Sequence, residues 1–315
     1  MIDLWTWGIF AIVVVVLLVF DLGILHKDDH EIGIAESLKL SAFYITAGLL
    51  FGGYVWWLKG PQAGLDYYTG FLVEKSLSMD NVFVISLIFT SLAIPRQYQH
   101  RVLFWGILGA IVMRALMIGV GAALVHQFSW ILLIFGGFLL FTGVKMLFAK
   151  DEETDITQSG MFRFFKRHIR LADQLHGSRF VVRGEDEGLK PGRWFTPLFL
   201  ALLMVEGADL VFAVDSIPAI FAITQDPFIV YTSNIFAILG LRALYFALAA
   251  MVHRFHYLKY ALAVVLIFIG VKIGLVYMEI KIPSLVSLTV TFGLLLAGVL
   301  YSLHKTRGEA VATSK

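Results

Sequence analysis

The sequence predicts an all-α polytopic membrane protein. Three observations carry this. Of 315 residues, 59% are hydrophobic and only 15% are charged, with a mean hydropathy of +0.82, whereas a soluble domain carries about 25% charged residues. The apolar residues gather into segments long enough to cross a bilayer, which needs about 20 residues as a helix. The basic residues fall almost entirely on one side of those segments. The net charge of +2 gives no basic excess for nucleic acid. The absence of cysteine removes disulfides and thiolate metal sites.

Nine spans of about 20 residues are expected, at roughly 4–24, 38–58, 70–94, 101–124, 129–149, 196–221, 229–251, 258–278 and 284–303. The first lacks a small-residue cleavage site before Asp21 and reads as a retained helix. Connections are short except for the polar stretch 150–194. With nine spans, Lys27, Lys39, Arg96, Arg101, the basic residues of 150–194, Arg254, Lys259, Lys305, Arg307 and Lys315 share one side, while only Lys59 and Lys281 fall on the other. Cytoplasmic loops are the basic ones, so the N-terminus is expected outside and the C-terminus in the cytoplasm of a bacterial-type plasma membrane. The chain is one transmembrane domain. Within 150–194, MFRFFKRHIRLADQLH (161–176) interleaves basic residues with Phe162, Phe164, Phe165, Ile169 and Leu171. It reads as an amphipathic helix on the inner leaflet, in preference to a solvated linker helix. RFVVRGEDEGLKPGRWF (179–195) reads as a hairpin or loop.

Two halves of the chain repeat. VMRALMIGVGAALVHQF (112–128) matches GLRALYFALAAMVHRF (240–255), FTGVKML (141–147) matches FIGVKIG (268–274), and DNVFV (80–84) matches DLVFA (209–213). Arg114 thus corresponds to Arg242, His126 to His253, Lys145 to Lys272 and Asp80 to Asp209, at offsets of 128, 127, 127 and 129. The third span enters from outside and the sixth from the cytoplasm. Spans 3–5 (residues 70–149) and 6–8 (residues 195–278) therefore form a 3+3 inverted repeat, an architecture of secondary transporters whose site lies near the midplane.

Ten charged residues lie within these spans: the acids Glu74, Asp80, Glu206, Asp209 and Asp215, and the bases Lys75, Arg114, Lys145, Arg242 and Lys272. Each costs about 2.5–3.5 kcal/mol at a helix centre, so they face the interior, pair, or bind ions. The bases are assigned to structure or gating, with Arg114 and Arg242 tying each half together. Glu206 and Asp209 share a helix face, whereas Asp215, nine residues beyond Glu206, points the other way on a continuous helix. Convergence needs that helix to open near Pro218, with Gly207 loosening it, and needs a bend between Glu74 and Asp80. Asn81 and Ser216 each follow an aspartate and add neutral oxygens. Such a set is a hard-cation site suited to Mg, Ca or Mn. Met79 and Met204 read as packing, and His126 and His253 as interfacial. Neither an HExxH pair nor a nucleotide-binding loop is present, so no enzyme and no prosthetic group are expected.

The segments GFLVEKSLSMDNVFV (70–84), FGGFLLFTGVKMLF (135–148), FAVDSIPAIFAIT (212–224) and DPFIVYTSNIFAILGLRALYF (226–246) resemble the TerC family of integral membrane proteins, with its Alx branch, along essentially the whole chain. The resemblance implies export of manganese, with Mn(II) as transported substrate, and a name drawn from tellurium resistance; proton exchange at the clustered carboxylates is the expected way to release the dication, since protonation removes both charge and ligand. It places the family near LysE-like exporters with 3+3 inverted repeats. The family's acidic positions carry over to Glu74, Asp80 and Asn81 and to Glu206, Asp209, Asp215 and Ser216, and Asp21 also resembles a family position. EGAD (206–209) departs from the family, where a bulkier stretch is expected. The rival reading is an assembly partner that delivers metal to exported proteins at a secretion channel. Oligomeric state is open.

Overall fold

The computed structural model describes residues 4–23, 33–128, 130–148, 159–172, 174–187, 191–249, 258–278, 280 and 282–313. Eleven α-helices, one two-stranded sheet and a 3-10 helix (Gly184–Glu187) make up the described elements: α1 (Leu4–Gly23), α2 (Ile34–Lys59), α3 (Pro61–Ser91), α4 (Arg96–Gln127), α5 (Ile131–Phe148), α6 (Gly160–His168), β1 (Val181–Arg183), β2 (Arg193–Phe195), α7 (Pro197–Phe221), α8 (Pro227–Leu239), α9 (Leu241–Ala249), α10 (Leu258–Tyr277) and α11 (Ser284–Thr313). Six of these helices contain stretches long and apolar enough to cross a membrane: Ile34–Lys59, Arg96–Gln127, Ile131–Phe148, Pro197–Phe221, Leu258–Val276 and Ser284–Lys305. Leu4–Phe20 and Pro227–Leu239 are shorter apolar helices. α3, though 31 residues long, is not among the six; its sequence carries Asp66, Glu74, Lys75 and Asp80. The chain is thus an all-α polytopic membrane protein, in which every expected span coincides with a helix or, once, with a pair.

That pair is the first correction. The segment expected as a single seventh span is α8 and α9, interrupted at Gly240. The interruption leaves the Ala237 carbonyl without its usual partner one turn on, and the Lys75 ammonium on α3 donates to it at 3.1 Å. A Cβ on residue 240 would lie 2.8 Å from Lys75 Nζ and 3.0 Å from Tyr44 Cβ, so glycine is what admits both neighbours. Lys75 therefore satisfies backbone exposed by a break.

The second correction concerns the breaks that were expected. α7 runs unbroken through Gly207 and Pro218, and α3 through the stretch between Glu74 and Asp80. Pro218 falls in the last turn of α7, where its carbonyl still accepts from Ala222 N at 3.0 Å. Burial of α7 against α3 and α4 outweighs the low helix propensity of one glycine, about 1 kcal/mol.

α3 packs on α2, α7, α8 and α11; α4 packs on α7 and α8; and α5 packs chiefly on α10. Gly48 and Gly52 on α2 let Phe71 and Tyr67 of α3 approach closely, so these small residues serve internal packing. Aromatic rings from α1, α2 and α8 form one core, with Phe51 and Phe236 at 4.5 Å and Phe10 against Phe228 and Tyr231.

The 150–194 stretch is a third point of difference. The helix expected over 161–176 ends at His168. Ser159 caps its start, accepting from Phe162 N at 3.2 Å. Its apolar face also turns toward protein: Phe162 is buried, and Met161 and Phe165 pack with residues of α3, α4 and α7, while Phe164 is exposed. Beyond it, β1 and β2 pair antiparallel, with Val182 opposite Trp194, which is the hairpin alternative for 179–195.

Candidate functional site: a buried arginine between carboxylates

Arg114 on α4 is fully buried, with 0% of its surface exposed. Its position follows from helical packing. α4 lies against α7 and α8, and Arg114 presents its guanidinium to three neighbouring helices. Nε and Nη2 donate to the two carboxylate oxygens of Asp209 on α7, at 3.2 and 2.8 Å. Nη1 donates to Glu74 Oε1 on α3 and to Asn234 Oδ1 on α8, the latter at 2.9 Å. The planar fork of arginine suits this two-oxygen grip, which a lysine does not reproduce. Glu74 is 13 residues into α3 and Asp209 12 residues into α7, about 20 and 18 Å from the helix starts. Both acids therefore meet deep between the helix ends. The expectation that Arg114 ties its own half together is corrected: it bonds Glu74 of its own half and Asp209 and Asn234 of the other.

Beside this cluster lies a cavity of about 30 Å³ whose wall includes Asn81, Asp209, Gly106, Ala110 and Ile238. That volume admits a water-sized or ion-sized occupant. Asn81 and Asp209 are its polar lining; the rest is apolar. Asn81 is thereby brought to the same cavity as Asp209.

Glu206 sits one turn before Asp209 and turns toward α4. A Cβ on Gly109 would lie 1.9 Å from Glu206 Oε1, so the glycine makes room for the carboxylate. Oε2 of Glu206 is buried without a hydrogen-bond partner, as are Glu74 Oε2, Asn234 Nδ2, Ser78 Oγ and Ser216 Oγ. Buried polar atoms are ordinarily satisfied, and these five lie on α3, α7 and α8.

Asp215 stands apart. It accepts from Thr142 of α5 at 3.5 Å, and Lys145 lies close enough to act on its charge. A straight α7 aims it away from Asp209, for the reason given by its spacing. Among the described residues, no three Asp, Glu or His side chains converge as a metal cage. The side chains of Asp21, Asp80 and Arg242 lie outside the described residues. Lys272 on α10 donates to Ser287 Oγ of α11 at 3.3 Å. His126 is exposed at the last turn of α4 and Met204 is buried in the core.

The sequence reading missed Asn234, Ser78 and Asp66. Asn234 is an amide within the apolar run IVYTSNIFAIL, a signal of the same kind as the intramembrane acids. Ser78 lies one turn after Glu74 and one before Asn81. Asp66 precedes the stretch taken as the third span, yet α3 begins at Pro61 and buries it. Gly207 has a reason: a Cβ there would lie 2.3 Å from Met161 Sδ, so the small residue in EGAD seats the helix α6.

Comparison with known proteins adds the family. Residues 59–310 match the family described as the integral membrane protein TerC family. An uncharacterised membrane protein of Rickettsia bellii is 48% identical over 298 residues, covering 95% of this chain and 97% of the relative. A Salmonella typhi protein is 48% identical over 299 residues, covering 92% of this chain and 91% of the relative. An Escherichia coli K12 protein is 46% identical over 318 residues, covering 96% and 97%. The last two share the name membrane-bound redox modulator Alx, given provisionally. No solved structure matches. The chain belongs to the TerC family of integral membrane proteins.

Proposed function

We propose that this protein is a secondary transporter that exports Mn(II) from the cytoplasm across a bacterial plasma membrane, by exchange for protons at a site between its two halves. The observation that carries the reading is the fully buried Arg114 held by Glu74 and Asp209. The two carboxylates share a single guanidinium. A divalent cation neutralises the same two acids completely and takes their oxygens as ligands, with the Asn81 and Asn234 amide oxygens as neutral donors. Glu206, one turn before Asp209, extends the acidic set, while Asp80, Asp215 and Ser216 are included on the sequence pattern and the family resemblance. Carboxylate and amide oxygens are the donors that Mg, Ca and Mn accept; the choice of Mn rests on the family resemblance.

Arg114 acts in this scheme as a resident cation. While it holds Glu74 and Asp209, the acids are closed to metal. When it withdraws, a dication entering from the cytoplasm takes its place. Protonation of a carboxylate on the far side removes both charge and ligand, and the guanidinium returns. The nine spans come from the apolar segments, and the basic-residue bias puts the N-terminus outside. The packing pairs agree with the inverted repeat: exchanging α3 with α7 and α4 with α8–α9 turns the α3–α8 contact into the α7–α4 contact, while α3–α7 and α5–α10 map onto themselves. The break at Gly240 is of the kind found beside transporter sites. With no cysteine in the 315 residues, an effect on redox balance like that in the relatives' name would run through the metal and not through a thiol of this chain.

The test is flux of Mn, Ca, Mg and Fe into proteoliposomes, with wild type beside Asp209→Asn and Asp215→Asn. Mn movement in the wild type that is lost in Asp209→Asn, with the protein still folded, supports the reading. No flux of any of the four ions sinks it.

A further inference from the structure

A second buried charge pair lies away from Arg114, where α3, α10 and α11 meet. Asp66 of α3 and Lys272 of α10 are buried, 9% and 6% exposed. They are near enough to act on each other's charge, yet no direct ion pair joins them among the described residues. Each is instead bonded by a serine of α11: Ser284 Oγ donates to Asp66 Oδ1 at 2.6 Å, and Lys272 Nζ donates to Ser287 Oγ at 3.3 Å. Gln62 donates to Asp66 Oδ1 at 3.3 Å and also to Ser284 Oγ. Thr291, on the same face of α11 at the 284, 287, 291 spacing, is fully buried with its Oγ1 unpartnered.

A purely structural pair would be expected in contact, because only direct contact repays the desolvation of two buried ions. Here each charge is instead bonded to its own serine hydroxyl of α11. The cluster also sits at one edge. Gln62 and Ser284 belong to the first turns of α3 and α11, which the basic-residue bias places at the outer surface. α11 lies outside both repeats, and this contact gives it a role that the repeat alone does not.

We propose that Asp66 is an outward-facing proton-exchange site, separate from the acids around Arg114, with Lys272 as the fixed charge that restores its carboxylate. A proton from outer water bonds to Asp66, making a neutral carboxylic acid and leaving the Lys272 ammonium unbalanced. Loss of that proton to water returns the starting pair, and no other reactant is needed. The polar groups acting on Asp66 are Gln62 from its own helix, Ser284 from α11 and Lys272 from α10. This inference rests on the transport reading only in linking the proton to metal movement.

The experiment uses the full chain in vesicles of phosphatidylethanolamine and phosphatidylglycerol with pyranine inside. In the wild type, Mn(II) movement is accompanied by opposite proton movement. Asp66→Asn keeps exchange of labelled for unlabelled Mn(II) but lowers the number of protons moved per Mn(II), leaving only the share carried by the acids around Arg114. A proton signal unchanged in Asp66→Asn, or one abolished by replacing Na⁺ with choline, overturns the proposal. Infrared difference spectra between acid and alkaline buffer serve even where no metal moves. A carboxylic-acid band present in the wild type and missing from Asp66→Asn supports the site, and identical spectra overturn it. Wild type that moves no Mn(II) but shows that band defeats the transport reading alone.

Discussion

Replacing Arg114 by leucine tests the site most directly. The guanidinium makes four hydrogen bonds, two to Asp209, one to Glu74 and one to Asn234. Without it, Glu74 at 1% side-chain exposure and Asp209 at 12% both lose the cation they share, and only Glu74 keeps another cation, Lys75, within reach. Removing one partner of a buried pair costs about 3–5 kcal/mol, and since two acids lose the same cation the expected loss is near the upper end. The excess comes from uncompensated charge, so neutralising the acids recovers it. The triple variant Arg114→Leu, Glu74→Gln, Asp209→Asn should regain most of the loss, because replacing a whole buried ionic group by neutral residues is often near neutral. The assay is reversible unfolding in detergent of the wild type, the single variant and the triple variant. A single variant within about 0.5 kcal/mol of wild type, the scale of an ordinary surface change, refutes the reasoning. So does a triple variant no more stable than the single one.

Other sites give further outcomes. Gly109→Ala puts a Cβ 1.9 Å from Glu206 Oε1; overpacking of this kind costs about 1–3 kcal/mol, read as a lowered unfolding midpoint that Glu206→Ala restores. Gly207→Leu displaces Met161, which a Cβ would meet at 2.3 Å, so limited proteolysis between 169 and 196 should accelerate, and Met161→Ala in the same chain should slow it again. Asp226 caps α8, accepting from Phe228 N at 3.0 Å, and pairs with Lys59. Asp226→Ala should lower stability by about 1 kcal/mol and Asp226→Asn by much less, since asparagine caps about as well. Equal losses in the two variants would show that the Lys59 bridge, and not the cap, is what matters there.

Much of this protein is legible in its sequence because the bilayer imposes a one-dimensional rule. A segment that crosses it must be helical and apolar, so the ends of α2, α4, α5, α7 and α10 fall within a few residues of the expected spans. The same rule makes every intramembrane charge conspicuous, which is why Glu74, Asp209 and Arg114 stand out before any fold is known, with Asn81 beside Asp80 as a neutral polar neighbour. Helix breaks did not follow from sequence in this way. Gly207 and Pro218 weaken a helix by local propensity, but α7 is held straight by its neighbours, and Gly207 proves to be the seat of Met161. The real break, at Gly240, depends on Lys75 arriving from α3 to satisfy a freed carbonyl, a contact 162 residues distant in sequence. Asp66 was missed because it precedes the apolar stretch, and its burial comes from α10 and α11 closing over it.

The sequence by itself determined that the chain is helical and membrane-embedded, and which charged residues fall within its apolar segments. Only the tertiary structure decided which charges meet. Arg114 holds an acid from each half, while Asp215, only six residues from Asp209, faces α5. Spacing along one helix fixes the direction of a side chain relative to its own axis. What it faces is fixed by where the other helices pack, and that depends on contacts between residues far apart in the chain.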